Sequence, residues 1–158
     1  MTATTTVHDD FLAADDRAAM HARTGEGTYE QLFDRDADAE APAGGVASTA
    51  GDIAKWMTMV LADGELDGAA FIDPLVLAKT YSAHSITGGD AHDLTSRTSH
   101  YGFGINVGST VTGRVSLSHS GAFGWGTATN ATMIPDLDLG IVVLTNGAPS
   151  GVPELIVS

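Results

Sequence analysis

The chain has 158 residues, which at roughly 150 residues per domain is one domain's worth. Its 43 % hydrophobic content is close to the globular average and argues against wholesale disorder, while no apolar run approaches the ~20 residues that span a bilayer. Seven basic and twenty acidic residues give a net charge of −13, which argues against nucleic acid or an anionic membrane as a partner.

The absence of cysteine excludes disulfides, thiolate nucleophiles and zinc-finger clusters. The N-terminus, MTATTTVHDDFL, has neither the basic nor the hydrophobic segment of a signal peptide, so we expect none here and the compartment stays open. The acidity comes mainly from aspartate, and only two of the seven bases are lysine (Lys55 and Lys79). Either codon bias in a GC-rich genome or a carboxylate surface suited to high salt accounts for this composition.

In chain order, residues 1–41 form an acidic arm with few core signals. We predict that this arm is extended or loop-rich, with one short helix near residues 11–22. From Pro42 the pattern strengthens, and residues 42–100 are predicted to be the helical part of a single domain. The remaining residues, 101–158, are predicted to hold the strands and the start of a C-terminal helix.

Two helices are predicted in the middle part. Thr49 and Asp52 fit a start similar to a capping box, and one apolar helical face follows: Ile53, Trp56, Met57, Val60 and Leu61. Gly64 supplies the stop. A second helix begins at Asp73-Pro74, with Asp as N-cap and Pro in the first turn, and runs to about residue 82.

Residues 84–100 are predicted to form a surface loop, after which the hydrophobic period changes to two. The pattern predicts four strands, over residues 101–107, 114–119, 127–134 and 139–145. Turn-like connections at 108–113 and 135–138 favour antiparallel neighbours. The last strand, LGIVVLT, is apolar on both faces and is expected to be covered on both sides. Helices followed by an antiparallel sheet make an α+β fold.

The strongest candidate site is Ser118-His119-Ser120-Gly121, which leads into the glycine-rich sequence AFGWG. A strand that opens into glycines lets a ligand approach the backbone, whose free N–H groups can bind an oxyanion. The alternative is a glycine-rich turn with a satisfied histidine. In a regular strand His119 shares a face with Val115 and Leu117, while Ser120 lies on the polar face, unless a bulge reverses this order.

Three other candidate features are weaker. The six histidines (His8, His21, His84, His92, His100 and His119) lack the spacing that places two imidazoles on one helical face, so surface histidines are the default and we expect no metal site. The pairs Asp9-Asp10 and Asp15-Asp16 fit a charged exposed face better than acid–base catalysis. No segment matches a phosphate-binding pattern, so we expect no nucleotide cofactor.

Four segments in order resemble the serine β-lactamase-like hydrolases, which include class C β-lactamases, penicillin-binding D-alanyl-D-alanine peptidases and related esterases. Residues 42–52, PAGGVASTAGD, resemble the family's Gly-Gly-x-x-Ser-Thr-x-x-Asp start of a helix. Residues 101–104 resemble its Tyr-Gly-x-Gly strand, and His119-Ser120-Gly121 resembles its His-x-Gly motif, a common replacement for Lys-Thr-Gly. Residues 139–146, LGIVVLTN, resemble its last core strand.

This resemblance implies acyl transfer on a small-molecule lactam, D-amino-acid peptide or ester, without a cofactor. In the family a serine of Ser-x-x-Lys attacks the carbonyl, helped by a tyrosine of Tyr-x-Asn. By the same resemblance, His119 takes the Lys position and Ser120 the Thr position of the third motif. Gly121 keeps the strand open, and the backbone N–H of Ala122 is the candidate oxyanion donor.

The chain departs from the family because neither Ser-x-x-Lys nor Tyr-x-Asn occurs in it. Met1 resembles an internal Met of the family, and residues 151–155 resemble the start of its C-terminal helix. We therefore expect a C-terminal portion of a longer hydrolase, with an incomplete β-lactamase or transpeptidase-like fold and no activity alone. The alternative is a non-catalytic binding module derived from that fold.

The last strand also carries an expectation about partners. In the family, the strand that corresponds to Leu139–Thr145 pairs with a strand from the N-terminal part, which this sequence lacks. An unpaired apolar edge recruits another strand. We therefore expect the chain to self-associate, or to need its N-terminal half, through Leu139–Thr145.

Overall fold

The computed structural model describes residues 1–90, 92–93 and 95–157. Five α-helices occur there: α1 (His8–Ala13), α2 (Ala41–Gly44), α3 (Ala50–Leu61), α4 (Pro74–Ala78) and α5 (Val152–Val157). Short 3-10 helices cover Asp38–Glu40 and Pro135–Leu137. No helix within the described ranges has both the length and the apolar character needed to cross a membrane.

The largest sheet is antiparallel and has six strands in the order β10-β9-β8-β7-β6-β5. Their bounds are β5 (Ser85–Gly88), β6 (Ser99–Tyr101), β7 (Asn106–Ser109), β8 (Val115–Phe123), β9 (Thr127–Ile134) and β10 (Leu139–Thr145). A second sheet joins β11 (Gly147–Ala148), β1 (His21–Gly25) and β2 (Thr28–Glu30). A small hairpin pairs β3 (Glu65–Leu66) with β4 (Ala69–Ala70). The predicted α+β fold is confirmed.

The chain divides into two compact units. The first comprises Met1–Ile53, Ser120–Asn130 and Val142–Ser158, and the second comprises Ala54–His119 and Ala131–Ile141. The division by sequence into an acidic arm (1–41), a helical part (42–100) and a strand part (101–158) stays a prediction.

Helix α3 is the helix that the apolar stripe predicted. The backbone N–H of Asp52 donates to Thr49 Oγ1 at 3.2 Å, which is the bond expected of a threonine cap. On the helix itself Met57, Met59 and Val60 are buried. Gly64 follows with φ +91°, and its N–H donates to the Met59 carbonyl at 2.9 Å, so the predicted stop is confirmed.

In the first unit, the N-terminal arm is more ordered than its composition predicted. Helix α1 ends at Ala13, and His21 already begins β1, so the prediction of a helix near 11–22 is wrong in its bounds. The His21 N–H donates to the Asn146 carbonyl at 2.8 Å and to the Gly126 carbonyl at 3.2 Å. These hydrogen bonds to residues far along the chain hold the backbone in a strand. The local sequence cannot predict them.

Asp52 anchors the first residues of the same unit. The residue is 3 % exposed, and its carboxylate accepts hydrogen bonds from the Ala3 N–H at 2.8 Å and the Thr4 hydroxyl at 3.0 Å. Next to it, Thr5 and Ala47 form an isolated antiparallel bridge. Because a buried charge needs such partners, we interpret the Asp of the 42–52 segment as a structural residue.

Two predictions for the second unit are wrong. The region predicted as a loop over 84–100 contains β5 and the start of β6; Ala91 and Leu94, in the same region, lie outside the described residues. The strand predicted over 101–107 is instead the end of β6, a tight turn and the start of β7. The turn forms because the Gly102 N–H donates to the Ile105 carbonyl and the Phe103 N–H to the Thr80 carbonyl, each at 2.8 Å.

Helix α4 and strand β10 also differ from expectation. The predicted cap of α4 is confirmed, since Asp73 accepts a hydrogen bond from the Leu75 N–H at 2.8 Å, but the helix ends at Ala78 rather than near residue 82. Strand β10 has the predicted bounds and is the end strand of its sheet. It is not covered on both sides, because Leu139 and Leu144 are 41 % and 37 % exposed.

Candidate active site

The candidate site lies on the second half of β8, beyond the end of β7. The two strands pair from Ser109↔Val115 to Asn106↔Ser118. Strand β8 continues for five more residues, from His119 to Phe123. The side of this extension that would face β7 is therefore not paired with that strand.

The structure brings the predicted site residues together on this extension. His119, Ser120 and Ala122 are exposed, and Gly121 is half-buried. On the other side of the strand, Thr129 Oγ1 donates to the Gly121 carbonyl at 3.4 Å. A Cβ atom at position 121 would lie 3.0 Å from that hydroxyl, so glycine suits the close approach. The predicted alternation holds at Leu117, which is buried. His119 would share a face with Leu117 in a regular strand, but it is exposed.

A tight turn fixes the end of this strand. The Gly126 N–H donates to the Phe123 carbonyl at 2.9 Å, which closes the turn over Gly124 and Trp125. Gly126 has φ +133°, and a Cβ atom there would lie 2.2 Å from the His21 nitrogen. Only glycine therefore fits this position, in conformation and in space.

Arg35, in the N-terminal arm of the first unit, contacts the Phe123 side chain. Its guanidinium lies 3.8 Å from the centre of the Phe123 ring, a cation–π contact. Nη1 of Arg35 donates to the Gly44 carbonyl at 2.9 Å, and Nη2 pairs with the Glu40 carboxylate. A Cβ atom at Gly44 would lie 3.2 Å from both Arg35 Nη2 and Phe123 Cζ. The first glycine of the Gly-Gly segment therefore packs against the turn that follows His-x-Gly.

Phe33 and Trp125 form a second aromatic contact beside the first. Their ring centres are 5.7 Å apart with an angle of 41° between the planes. Both side chains are about half exposed, at 49 % and 53 %. Sequence reasoning missed Phe33, Arg35, Phe123 and Trp125. The alternation Phe-Gly-Trp-Gly after a candidate motif was the available signal for the last two, while nothing local indicated Phe33 and Arg35.

No contact links the side chains of the other histidine and acidic candidates given below to residues 119–122 in the described part of the chain. Nδ1 of His21 lies 2.8 Å from the Ala19 carbonyl oxygen, and the His84 ring stacks on Phe103 with centres 4.1 Å apart. The pairs Asp9-Asp10 and Asp15-Asp16 are exposed. Within the described part of the chain, no group of three or more histidine or acidic side chains is arranged to hold a metal ion.

The second unit holds a separate cavity of about 570 Å³. Its apolar lining is formed by Val60, Leu61, Val107, Val115, Leu117 and Pro135, and its polar lining includes Asp63, Tyr81, Arg114 and Asp136. Arg114 and Asp136 form an ion pair. Burial, and next the Asp63 carboxylate, raise the pKa of Tyr81 above its usual value. The lining includes neither a histidine nor a serine, so we place the candidate site on β8.

The comparison with protein families agrees with the motifs on β8. The model of the Beta-lactamase family matches residues 2–156, which is almost the whole chain. The chain therefore belongs to the Beta-lactamase family, in the serine β-lactamase and transpeptidase-like superfamily. No curated protein matches the sequence significantly.

Proposed function

We propose that this chain supplies one wall of an acyl-transfer site, formed by the extension of β8 beyond β7. The observation that carries the proposal is that β8 continues beyond its pairing with β7, and that His119, Ser120 and Ala122 of this extension, which bears the His-x-Gly motif, are exposed. An acyl substrate lies along this extension as an added strand would. The side chains of His119 and Ser120 contact its polar groups, and the Ala122 N–H donates to its carbonyl oxygen.

The proposed reaction needs a serine from outside this sequence. In acyl transfer the serine oxygen bonds to the carbonyl carbon, a base removes the serine proton, and the carbonyl oxygen becomes an oxyanion. The bond to the leaving group then breaks, and the leaving group takes up a proton. This chain contributes the oxyanion donor and the binding edge. Because it has no Ser-x-x-Lys or Tyr-x-Asn, we propose that it is inactive alone.

An alternative is a binding module that uses the same edge without chemistry. The observation that favours it is the combination of an intact, exposed third motif with the missing nucleophile motif. The genomic DNA upstream of Met1 separates the two functions. An in-frame Ser-x-x-Lys and Tyr-x-Asn would support the hydrolase, and a start site without them would support the binder.

The first experiment tests the purified chain alone. We expect no turnover of nitrocefin, p-nitrophenyl esters or D-alanyl peptides, and no mass increase after incubation with penicillin or a fluorophosphonate. Covalent labelling of any serine in this chain would contradict the proposal.

The second experiment adds the polypeptide encoded upstream, where it carries the two motifs. We expect turnover and labelling on that polypeptide's serine. Ala122→Pro, which removes the N–H, should lower turnover about 100-fold, as expected for loss of an oxyanion donor. Ala122→Gly keeps the N–H and is the matched control. Equal activity of the two variants, with equal melting temperatures, would argue against the role of Ala122.

We also propose that β10 is the surface through which the chain meets a partner. It is an end strand, and its sequence has no charge, proline or other device that blocks edge pairing. The partner is a second copy of this chain, or the polypeptide with the nucleophile where that is present.

A further inference from the structure

We propose that the cavity of the second unit is a binding site for an aliphatic ammonium ion. The charged group of the ligand lies beside Asp63, just beyond the C-terminal end of α3, and its hydrocarbon body lies against the apolar lining. Residues 119–123 are not part of this lining, so the site is independent of the proposed acyl-transfer wall.

The first argument is the size and the apolar character of the cavity. Its volume of about 570 Å³ lies in the usual range for small-molecule sites, which is about 300–1,000 Å³. The aliphatic side chains that line it are Val60, Leu61, Val107, Val115 and Leu117. Of these, Val60 and Leu117 are only 6 % and 4 % exposed. Such a lining favours a ligand with a hydrocarbon body, because apolar surface is removed from water on binding.

The second argument is the charge of the lining. Its charged side chains are those of Asp63, Arg114 and Asp136. Arg114 and Asp136 pair with each other, whereas no hydrogen bond or ion pair engages the Asp63 carboxylate within the described ranges of the chain. The charge that remains for a ligand is therefore negative. The net charge of −13 adds to this, because it raises the concentration of cations near the chain.

The third argument is the end of α3. This helix has 12 residues and no basic residue in its last turn, so no side chain of the helix offsets the partial negative charge of its C-terminal end. Val60 and Leu61 lie in that last turn, and Asp63 follows, with its N–H donating to the Val60 carbonyl at 3.2 Å. The helix end and the Asp63 carboxylate therefore favour a cation in the same part of the cavity.

Tyr81 supplies a further contact for the charged group. Burial, and next the Asp63 carboxylate, raise the pKa of Tyr81, so the phenol is neutral at neutral pH. The effect of Asp63 on this pKa means that the carboxylate is near the phenol. A neutral phenol oxygen accepts hydrogen bonds from an ammonium group, and the face of a tyrosine ring attracts cations. An anion and a neutral aromatic group are therefore both available to one ammonium ion.

The strand side of the cavity is formed before a ligand binds. In the turn between β7 and β8, the Gly113 N–H donates to the Thr110 carbonyl at 2.9 Å, and the Arg114 N–H donates to Thr110 Oγ1 at 3.1 Å. The ion pair with Asp136 then holds the Arg114 side chain. Because these residues are already ordered, binding costs little conformational entropy.

The test compares hexylammonium, hexanol and hexanoate, which share one hydrocarbon chain and differ in charge at neutral pH. Binding to the purified full chain is measured by NMR titration of the methyl signals at constant ionic strength. We expect hexylammonium to bind about fivefold more tightly than hexanol, as expected for one part-exposed ion pair, and hexanoate to bind most weakly. The methyl signals of Leu61 and Leu117 should shift, whereas those of Val111, which is 98 % exposed and outside the lining, should not.

Variants connect the preference to Asp63. Asp63→Asn should lower the affinity for hexylammonium to that for hexanol, and leave hexanol binding unchanged. Asp67→Asn is the matched control, because it removes the same charge in the same unit, outside the lining, at a residue with φ +53° against +51° for Asp63. It should leave both affinities unchanged. Val115→Thr places a hydroxyl in the apolar lining at a residue that is 53 % exposed, and should weaken all three probes by a similar factor. Circular dichroism and the melting temperature establish that each variant is folded.

Several results would overturn the site. Equal binding of hexylammonium and hexanol would do so, as would a preference for hexylammonium that survives in folded Asp63→Asn. Equal losses of affinity in Asp63→Asn and Asp67→Asn would mean that net charge alone attracts the probe, which also contradicts a site at Asp63. Absence of binding by all three probes at millimolar concentration would overturn it as well.

Discussion

The guanidinium of Arg35 lies 3.8 Å from the centre of the Phe123 ring and connects the N-terminal arm to the end of β8. The Arg35 side chain is 11 % exposed, so its charge is largely removed from water and depends on the ring, the Gly44 carbonyl and Glu40. The acidic arm therefore contributes to the candidate site, although its composition gave little reason to expect this.

The first prediction concerns this contact. Arg35→Ala should lower the free energy of unfolding by about 1–3 kcal/mol, because it removes a cation–π contact and a hydrogen bond to a carbonyl. Arg17→Ala is the matched control, since Arg17 is exposed and lies 5.9 Å from the Phe11 ring. It should change stability by less than about 0.5 kcal/mol. Urea denaturation measures both, and equal effects would contradict the importance of Arg35.

The second prediction compares two glycines of one turn. Gly126→Ala should destabilise the protein by about 3 kcal/mol or more, because φ is +133° and the new Cβ would lie 2.2 Å from the His21 nitrogen. Gly124→Ala meets nothing within 4 Å and should cost less than about 1 kcal/mol. Soluble yield and thermal melting measure the difference. Similar behaviour of the two variants would contradict this geometry of the turn.

The sequence predictions succeeded where interactions between residues close in sequence determine the structure. They failed where contacts between residues far apart in sequence do. Helix α3 has a regular apolar stripe and β10 is a continuous apolar run bounded by a turn, and the structure confirms both, together with the predicted bounds of β9. The 101–107 segment was misread because a contact with Thr80 turns the chain at Gly102 and Phe103. Strand β1 was missed because it pairs with β11, over 120 residues away. The same holds for the candidate site: His119–Ala122 stay a prediction from the motif, whereas the contacts of Arg35 with Phe123 and of Phe33 with Trp125 arise only through the fold.

The third prediction concerns Tyr81, whose pKa is raised by burial and by Asp63. The folded chain then keeps the phenol proton to a higher pH than the unfolded chain does. Tyr81 should therefore stabilise the fold fully below pH ~10, and this contribution should be lost as the pH rises through its folded pKa.

Ultraviolet absorbance of tyrosinate measures this pKa when Tyr29 and Tyr101 are replaced by Phe. Asp63→Asn should lower the pKa of Tyr81 only in part, because burial is the larger cause. Asp67→Asn removes an equal charge elsewhere in the same unit and should have less effect. A pKa for Tyr81 below that of a free tyrosine would contradict the described environment.

The fourth prediction tests the two interpretations of the acidic composition. If the carboxylate surface is suited to high salt, the melting temperature should rise substantially between about 0.1 M and 2 M KCl, because salt screens the repulsion within a chain of net charge −13. KCl is preferred to sulfate, which strengthens apolar burial in any protein. A flat melting temperature across the series would support codon bias instead.

The last prediction concerns self-association through β10, with a second copy as the partner. Antiparallel pairing of two copies about Val142 sets Leu139 opposite Thr145, and places Asp138 opposite Asn146. Parallel pairing in register would bring the two Asp138 carboxylates together, so charge favours the antiparallel arrangement. Burying half of the five large apolar side chains of β10 would contribute several kcal/mol at about 25 cal/mol per Å². We therefore expect light scattering at micromolar concentration to give at least twice the chain mass.

Val142→Lys should restore the monomer by placing a charge at the centre of the edge, whereas Val111→Lys, at a residue that is 98 % exposed, should not. A monodisperse monomer with a cooperative melt in the unaltered chain would contradict pairing through β10, since the edge would then be stable without a partner.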